Sequence, residues 1–249
     1  MRWIDAWRPA CLTACLLYAL QPAGAGQPPA AAGAAPQASA PSTPSQTPTP
    51  SRPQTHFVVA IDAAHGGNDA GARLSDRLLE KDLVLALSVR LRSMLSARGV
   101  PVVTTREFDT AMPAVNRADI ANRAVAAACL TLHATSSGTG VHLFTSSLTP
   151  IPLTRFLPWD TAQGAYTESS LKLASEVDAA MQQAEIPVTL GRVAIEPLDS
   201  FACPAVAIEL APLAGRSVTP ITDPEYQSRV VSAIAAAIEQ WRSGWRQQP

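Results

Sequence analysis

Charge is scarce in this sequence. Charged side chains make up 16% of its 249 residues and nearly cancel, to a formal net charge of −1. No basic patch or run of like charge stands out, which argues against nucleic acid as a partner. Cysteine is scarcer, with four residues, of which Cys11 and Cys15 fall in the N-terminal segment. No C-x-x-C pair exists, so a thiolate zinc cluster is excluded. There is no internal repeat, no second linker, and no apolar run long enough to span a bilayer as a permanent helix.

Composition divides the chain into three segments. Residues 1–25 read as a secretory signal: Arg2 and Arg8 supply positive charge, Pro9 to Leu20 is a short apolar run, and Ala23-Gly24-Ala25 offers a small-x-small cleavage pattern. Leu12-Thr13-Ala14-Cys15 also has the pattern of a lipidation site, although most of the apolar run follows Cys15. Either reading sends the protein to the periplasm or cell envelope. Residues 26–54, rich in Ala, Pro, Ser, Thr and Gln, cannot bury enough apolar surface to offset their ordering entropy and are expected to be a flexible tether. Residues 55–249 are one domain's worth of chain. Within them Cys129 and Cys203 are either a disulfide, which an exported protein permits, or two buried thiols.

Periodicity predicts strands and helices in alternation. His56 to Ile61 is a buried strand running into a Gly66-Gly67 loop. Leu83, Val84, Leu87, Leu91 and Leu95 recur at helical spacing from Glu80 to Arg98, with Gly99 as the C-terminal stop. A strand follows over Val100 to Thr105, then a helix opened by Pro113 through Val115, Ile120 and Val125. Strands are expected at Cys129–Leu132, Val141–Thr145 and Pro204–Leu210. A helix is expected from about 160 to 184 through Leu171, Leu173, Val177 and Met181. The last helix begins at Asp223-Pro224, an N-cap followed by proline, and carries Tyr226, Val230, Ile234, Ile238 and Trp241. The pattern predicts a single α/β domain with an open, mostly parallel (mixed) sheet flanked by helices on both faces. Ligands of such sheets gather beyond the carboxyl ends of the strands.

Polar residues sit at those ends. His65 follows the first strand, His133 ends the third, Glu209 lies in the apolar run Val206-Ala207-Ile208-Glu209-Leu210, and Glu80 opens the first helix. Taken singly each has a plain structural explanation. Glu209 is the exception, because burying an unpaired carboxylate costs several kcal/mol. Together, two imidazoles and a carboxylate are a set that holds a catalytic zinc, with a further carboxylate to move a proton.

Four separated segments extend this reading. Asp62-Ala63-Ala64-His65-Gly66-Gly67-Asn68-Asp69-Ala70-Gly71-Ala72, Glu80-Lys81, Thr105-Arg106 with Arg117 and Ala121-Asn122, and Leu132-His133-Ala134 with Pro204 to Leu210 resemble, in order, the motifs of the zinc-dependent N-acetylmuramoyl-L-alanine amidases. These are the catalytic domains of bacterial cell-wall hydrolases. The resemblance covers nearly all of residues 57–243. It implies peptidoglycan as substrate and one zinc ion (Zn2+) held by His65, Glu80 and His133. It further implies Glu209 as the catalytic acid–base, cleaving the amide between N-acetylmuramic acid and L-alanine. Asp62 is a candidate to hold the His65 ring, and Arg106, Arg117 and Asn122 either brace the fold or touch substrate.

The sequence departs from the family pattern in three places. Ala64 replaces a glycine before His65, tolerable where the backbone has negative φ. Thr135-Ser136-Ser137 and Ala211-Pro212-Leu213-Ala214-Gly215 replace the usual segments after His133 and Glu209. The rebuilt loops motivate an alternative: a catalytically weak or inactive relative that binds peptidoglycan. A zinc carboxypeptidase is a third possibility. His142 is read as structural and His56 as solvated; Trp159 and Tyr166 are read as packing residues, with a sugar-stacking surface as the alternative. No long insertion between Val141 and Pro204 offers an autoinhibitory plug, so the groove is expected to be open without a partner. An activator or targeting protein is not identified by the sequence.

Overall fold

The computed structural model describes residues 56–152, 158–215 and 218–245; the expected signal, its Cys15 and the tether lie outside them. In chain order the strands and helices are β1 (Val59–Ala63), β2 (Arg73–Ser75), β3 (Leu78–Leu79), α1 (Glu80–Ala97), β4 (Val102–Thr104), α2 (Ala114–Arg123), β5 (Ala128–Ala134), β6 (Val141–Ser146), α3 (Thr167–Gln183), β7 (Val188–Val193), β8 (Ala205–Leu210) and α4 (Pro224–Trp245). Short 3-10 segments occupy Trp159–Tyr166 and Leu198–Ser200. Six strands form one sheet in the order β4-β1-β5-β8-β6-β7. β4, β1, β5 and β8 are mutually parallel; β6 pairs antiparallel with β8, and β7 runs parallel to β6. The sheet is mixed, as expected.

The central strands β1, β5 and β8 are apolar on nearly every residue because both of their faces are covered. On one face α1, α3 and α4 bury Leu83, Leu87, Leu91, Leu173, Val177, Tyr226, Val230 and Ile234 against Ile61, Leu130, Leu132, Val206 and Ile208. On the other, α2 and the Leu198–Ser200 turn close a smaller core around Ala118, Ala121, Leu198 and Phe201. Helix α1 stops as the sequence predicts, with Gly99 at φ +69° and the Val100 N–H returning to the Leu95 carbonyl at 3.0 Å. Helix α4 starts with Asp223 Oδ1 accepting from the Tyr226 N–H at 2.7 Å.

Several local expectations are corrected. The helix expected from residue 160 is α-helical only from Thr167, and its buried stripe is Ser170, Leu173, Ala174, Val177 and Met181. Leu171 lies off that stripe and is exposed. Helix α2 ends at Arg123, before Val125; both Val115 and Val125 are exposed, and the buried positions of the helix are Arg117, Ala118 and Ala121. Small alanines let this helix lie close to the sheet, and Arg117 reaches a buried partner. Trp159 is exposed rather than packed, and Tyr166 is half-buried. Strand β7 and the β2–β3 hairpin carry no period that predicts them: β7 is a partly buried sheet edge interrupted by Gly191, and β3 has two residues.

Cys129 and Cys203 form a disulfide, resolving the two alternatives. It fastens Cys203, two positions before β8 begins, to β5 on the face of the smaller core. Closing a loop of 74 residues removes enough freedom from the unfolded chain to stabilise the fold by about 4 kcal/mol in the chain-entropy picture. Replacing both cysteines with alanine should lower the unfolding free energy by about that amount, read as a reduced urea midpoint with an intact far-UV spectrum in water.

Candidate metal centre and catalytic groove

β1 ends at Ala63, and the chain leaves the sheet through Ala64 into His65, whose φ of +61° swings the imidazole out of the strand direction. Ala64 is not in the left-handed region, so alanine is tolerated where the family has glycine. His65 Nδ1 lies 2.8 Å from Asp69 Oδ2, and Asp69 Oδ1 accepts the Gly71 N–H at 3.1 Å. The turn therefore orients its own histidine and leaves Nε2 facing inward.

Nε2 meets Glu80 Oε2 at 3.1 Å, and the other oxygen of the same carboxylate, Oε1, meets His133 Nδ1 at 2.9 Å. Glu80 also accepts the N–H groups of Ala72 at 2.8 Å and Ala134 at 3.0 Å. Burial alone pushes the Glu80 carboxyl up, but the two histidines and two backbone N–H groups outweigh it and hold the carboxyl far below the usual range. The hydrogen bond with Glu80 raises the His65 pKa, reinforced by Asp69 and opposed by burial. Three ligand atoms of His65, Glu80 and His133 lie within 4.8 Å of one another. Two imidazole nitrogens and an ionised carboxylate converging on one point are a donor set that fits zinc.

Gly71 makes the convergence possible. A Cβ there would lie 2.6 Å from both Glu80 Oε2 and His65 Cδ2, and the residue sits at φ +64°. Only glycine both takes this backbone and leaves room for two ligands.

Glu209 arrives from the neighbouring strand. Its Cα is paired with that of His133 across β5 and β8, about 4.8 Å away by ordinary strand spacing, so both side chains emerge on the same sheet face. The next strand pairs His142 with Glu209 in turn. His142 Nδ1 contacts Glu209 Oε2 at 2.7 Å. His142, read from the sequence as structural, is therefore a direct neighbour of the candidate acid–base. Strand order was the missing information: β6 and β8 are adjacent in space with α3 and β7 between them in the chain.

Three other candidates are placed elsewhere. Asp62 does not hold His65; its carboxylate accepts from Thr105 Oγ1 at 2.7 Å and Arg117 Nη1 at 3.0 Å, deep under α2. The residue on His65 is Asp69, four positions on. Its signal lay in the His65-Gly66-Gly67-Asn68-Asp69 turn, where a carboxylate can fold back on the ring. Arg106 is buried and spends its guanidinium on the carbonyls of Ala63, Ala64 and Lys81 at 2.8–2.9 Å, bracing the turn before His65. Asn122 holds the Ser200–Ala202 turn through Ser200 O and the Ala202 N–H. His56 is exposed, as expected, with Nε2 on the Ala124 carbonyl.

Two of the three departures from the family pattern, the loops after His133 and Glu209, prove to be a single feature. The loop after His133 and the loop after Glu209 are joined by Gly140 N–H to Pro212 O at 2.9 Å, Ala211 N–H to Gly140 O at 2.9 Å, and Ala214 N–H to Thr139 Oγ1 at 2.8 Å. They form one continuous wall.

The Gly71 geometry generates a direct test. Gly71→Ala should weaken the binding of a divalent metal at this cluster by about 10- to 100-fold, the usual cost of disturbing the support of a metal ligand. Bound metal after dialysis against graded chelator, with far-UV circular dichroism as the control for folding, reads the effect.

Comparison with known proteins bears on the family and the fold. The family described as N-acetylmuramoyl-L-alanine amidase matches residues 59–240. The amidase AmiA of Escherichia coli is 38% identical over 77 residues, 31% of this chain and 27% of AmiA. The germination-specific N-acetylmuramoyl-L-alanine amidase of Bacillus subtilis is 42% identical over 60 residues, 24% of this chain and 25% of that protein. The matched stretches thus span about a quarter of these curated relatives. Among solved structures, Ami1 of Mycobacterium smegmatis superposes with a TM-score of 0.61 at 22% identity, covering 76% of this chain and 97% of that one. The CwlD amidase of Clostridioides difficile, solved in complex with the GerS lipoprotein, gives 0.58 at 20% identity, covering 76% and 99%. At these identities the structures speak for the fold alone, and it is the match over residues 59–240 that decides the family: this chain belongs to the N-acetylmuramoyl-L-alanine amidases.

Proposed function

We propose that the protein is a zinc-dependent peptidoglycan amidase that hydrolyses the bond between N-acetylmuramic acid and the L-alanine of the stem peptide. The observation that carries this reading is the Glu80 carboxylate shared by His65 and His133, with Glu209 beside His133 on the next strand. His65, Glu80 and His133 would hold a single zinc ion. When bound, it supplies Lewis acidity to polarise the amide carbonyl and ease deprotonation of water. The remaining chemistry belongs to the chain. Asp69 holds the His65 ring through Nδ1, keeping Nε2 available. Glu209, at the rim of the groove, takes a proton from the attacking water. It then returns that proton to the departing L-alanine nitrogen, which leaves as an amine.

Residues 1–25 as an export signal and 26–54 as a tether would place the domain in the periplasm or envelope, with Cys15 as a lipid-attachment site if a lipoprotein signal operates. β6 runs antiparallel to β8, so it leads the chain away from the Glu209 end of the sheet. Before Pro204 the described chain comes back to that end through the short α3–β7 connection, residues 184–187, and carries no long insertion there. The purified chain should be active alone, and strong stimulation by an added protein partner would overturn that expectation.

Incubation of the full chain with muropeptides, followed by mass spectrometry, tests the function. The expected product is a free stem peptide beginning at L-alanine, abolished by chelator and restored by zinc. Glu209→Gln should slow turnover by about a hundred- to ten-thousand-fold, the range for loss of a general acid–base, while retaining bound zinc. Release of a single C-terminal amino acid would indicate a carboxypeptidase. Absence of product from zinc-loaded protein would indicate a binding-only relative.

A further inference from the structure

Beside the metal ligands, one short contact is not needed to hold an ion. Nδ1 of His142 lies 2.7 Å from Oε2 of Glu209, on the strand opposite the one that carries His133. The register makes a row of three across adjacent strands: His133 on β5, Glu209 on β8 and His142 on β6. Glu209 thus stands between a candidate metal ligand and a second imidazole.

The surroundings of His142 are shaped to keep it there. A Cβ on Gly138 would lie 2.5 Å from His142 Cε1 and 2.7 Å from Nε2, so the loop after β5 passes against the ring edge with room only for glycine, at φ +81°. On the other side the ring stands edge-on to Phe144, with centroids 6.4 Å apart. The strand start beneath it is anchored where Gly140 exchanges backbone hydrogen bonds with Ala211 and Pro212, and where the buried Tyr226 hydroxyl lies 2.9 Å from the Gly140 carbonyl. An imidazole held on two sides above a fixed backbone has little rotational freedom left.

Resting on the reading of Glu209 as the acid–base, we propose that His142 is its positioning residue, donating from Nδ1–H to Oε2 and leaving Oε1 to handle the proton. A glutamate on a strand edge has three side-chain torsions, and its carboxylate would otherwise rotate freely in the groove. A donor on one oxygen fixes the plane of the carboxylate and presents the lone pairs of the other. The arrangement stays valid through a catalytic cycle. When Oε1 gains the proton from water, Oε2 becomes the carbonyl oxygen of the acid and still accepts from Nδ1–H. When Oε1 gives that proton to the leaving nitrogen, the carboxylate is restored in the same orientation. His142 neither gains nor loses a proton, so its effect falls on the geometry of transfer rather than on substrate binding.

The test compares three variants in the full zinc-loaded chain on soluble muropeptides. His142→Leu removes the donor at similar volume, and kcat should fall about 10- to 100-fold, as is usual for partners that orient site residues. KM and bound zinc should stay within about twofold. His142→Asn, whose amide N–H can occupy the place of Nδ1–H, should recover most of the lost kcat. Glu209→Gln serves as the reference for the acid–base itself. Full activity in His142→Leu alongside a dead Glu209→Gln would overturn the positioning role alone. Full activity in Glu209→Gln would overturn the reading beneath it. Equal losses in the leucine and asparagine variants, with matching falls in melting temperature, would assign His142 to packing and overturn the proposal.

Discussion

The site depends on one buried carboxylate with four partners. Glu80 lies under the groove, where an isolated charge would cost several kcal/mol, and it is stable there because two imidazoles and two backbone N–H groups surround it. The partners come from three parts of the chain: His65 from the turn after β1, Ala72 from the loop before the β2–β3 hairpin, and His133 and Ala134 from the end of β5. Satisfying Glu80 therefore fixes the relative positions of β1, β5 and the start of α1. Where the same groups take a metal, the ion enters a site whose geometry the protein has already specified.

The supporting groups are less conspicuous than the ligands and equally specific. Gly71 contributes the absence of a side chain. Asp69 sets the orientation of His65, while Arg106, buried with no access to substrate, fastens the carbonyls of Ala63 and Ala64 just before it. Asp62 and Arg117 pair under α2 and tie that helix to the sheet. Much of the polar residue content near the groove thus holds backbone in place. This accounts for Asp62, Arg106 and Asn122 bracing the fold.

The rebuilt loops acquire a different meaning once seen together. As separate departures after His133 and Glu209 they suggest a damaged groove. In the fold they meet through Gly140, Ala211, Pro212, Ala214 and Thr139. The same joint anchors the start of β6, the strand that carries His142 against Glu209. The changed loops and the placement of His142 beside Glu209 are parts of one arrangement.

What the sequence determined by itself is local. Apolar runs marked β1, β5 and β8 because both faces of a central parallel strand are buried. Helical spacing with Gly99 and Asp223 marked the limits of α1 and α4, where a left-handed residue or a side-chain cap is a chemical requirement. The candidates His65, His133 and Glu209 stood out because a histidine or glutamate at the end of an apolar strand is conspicuous, and motif order added Glu80 at the start of α1. The tertiary structure decided what depends on neighbours distant in the chain. It closed Cys129 to Cys203, sent Asp62 to Arg117 instead of His65, and laid β6 antiparallel beside β8 so that His142 meets Glu209. A strand's periodicity states which side chains share a face but says nothing about which strand lies next to it. That adjacency is set by packing of the whole sheet, and in this protein it determines which residues surround Glu209.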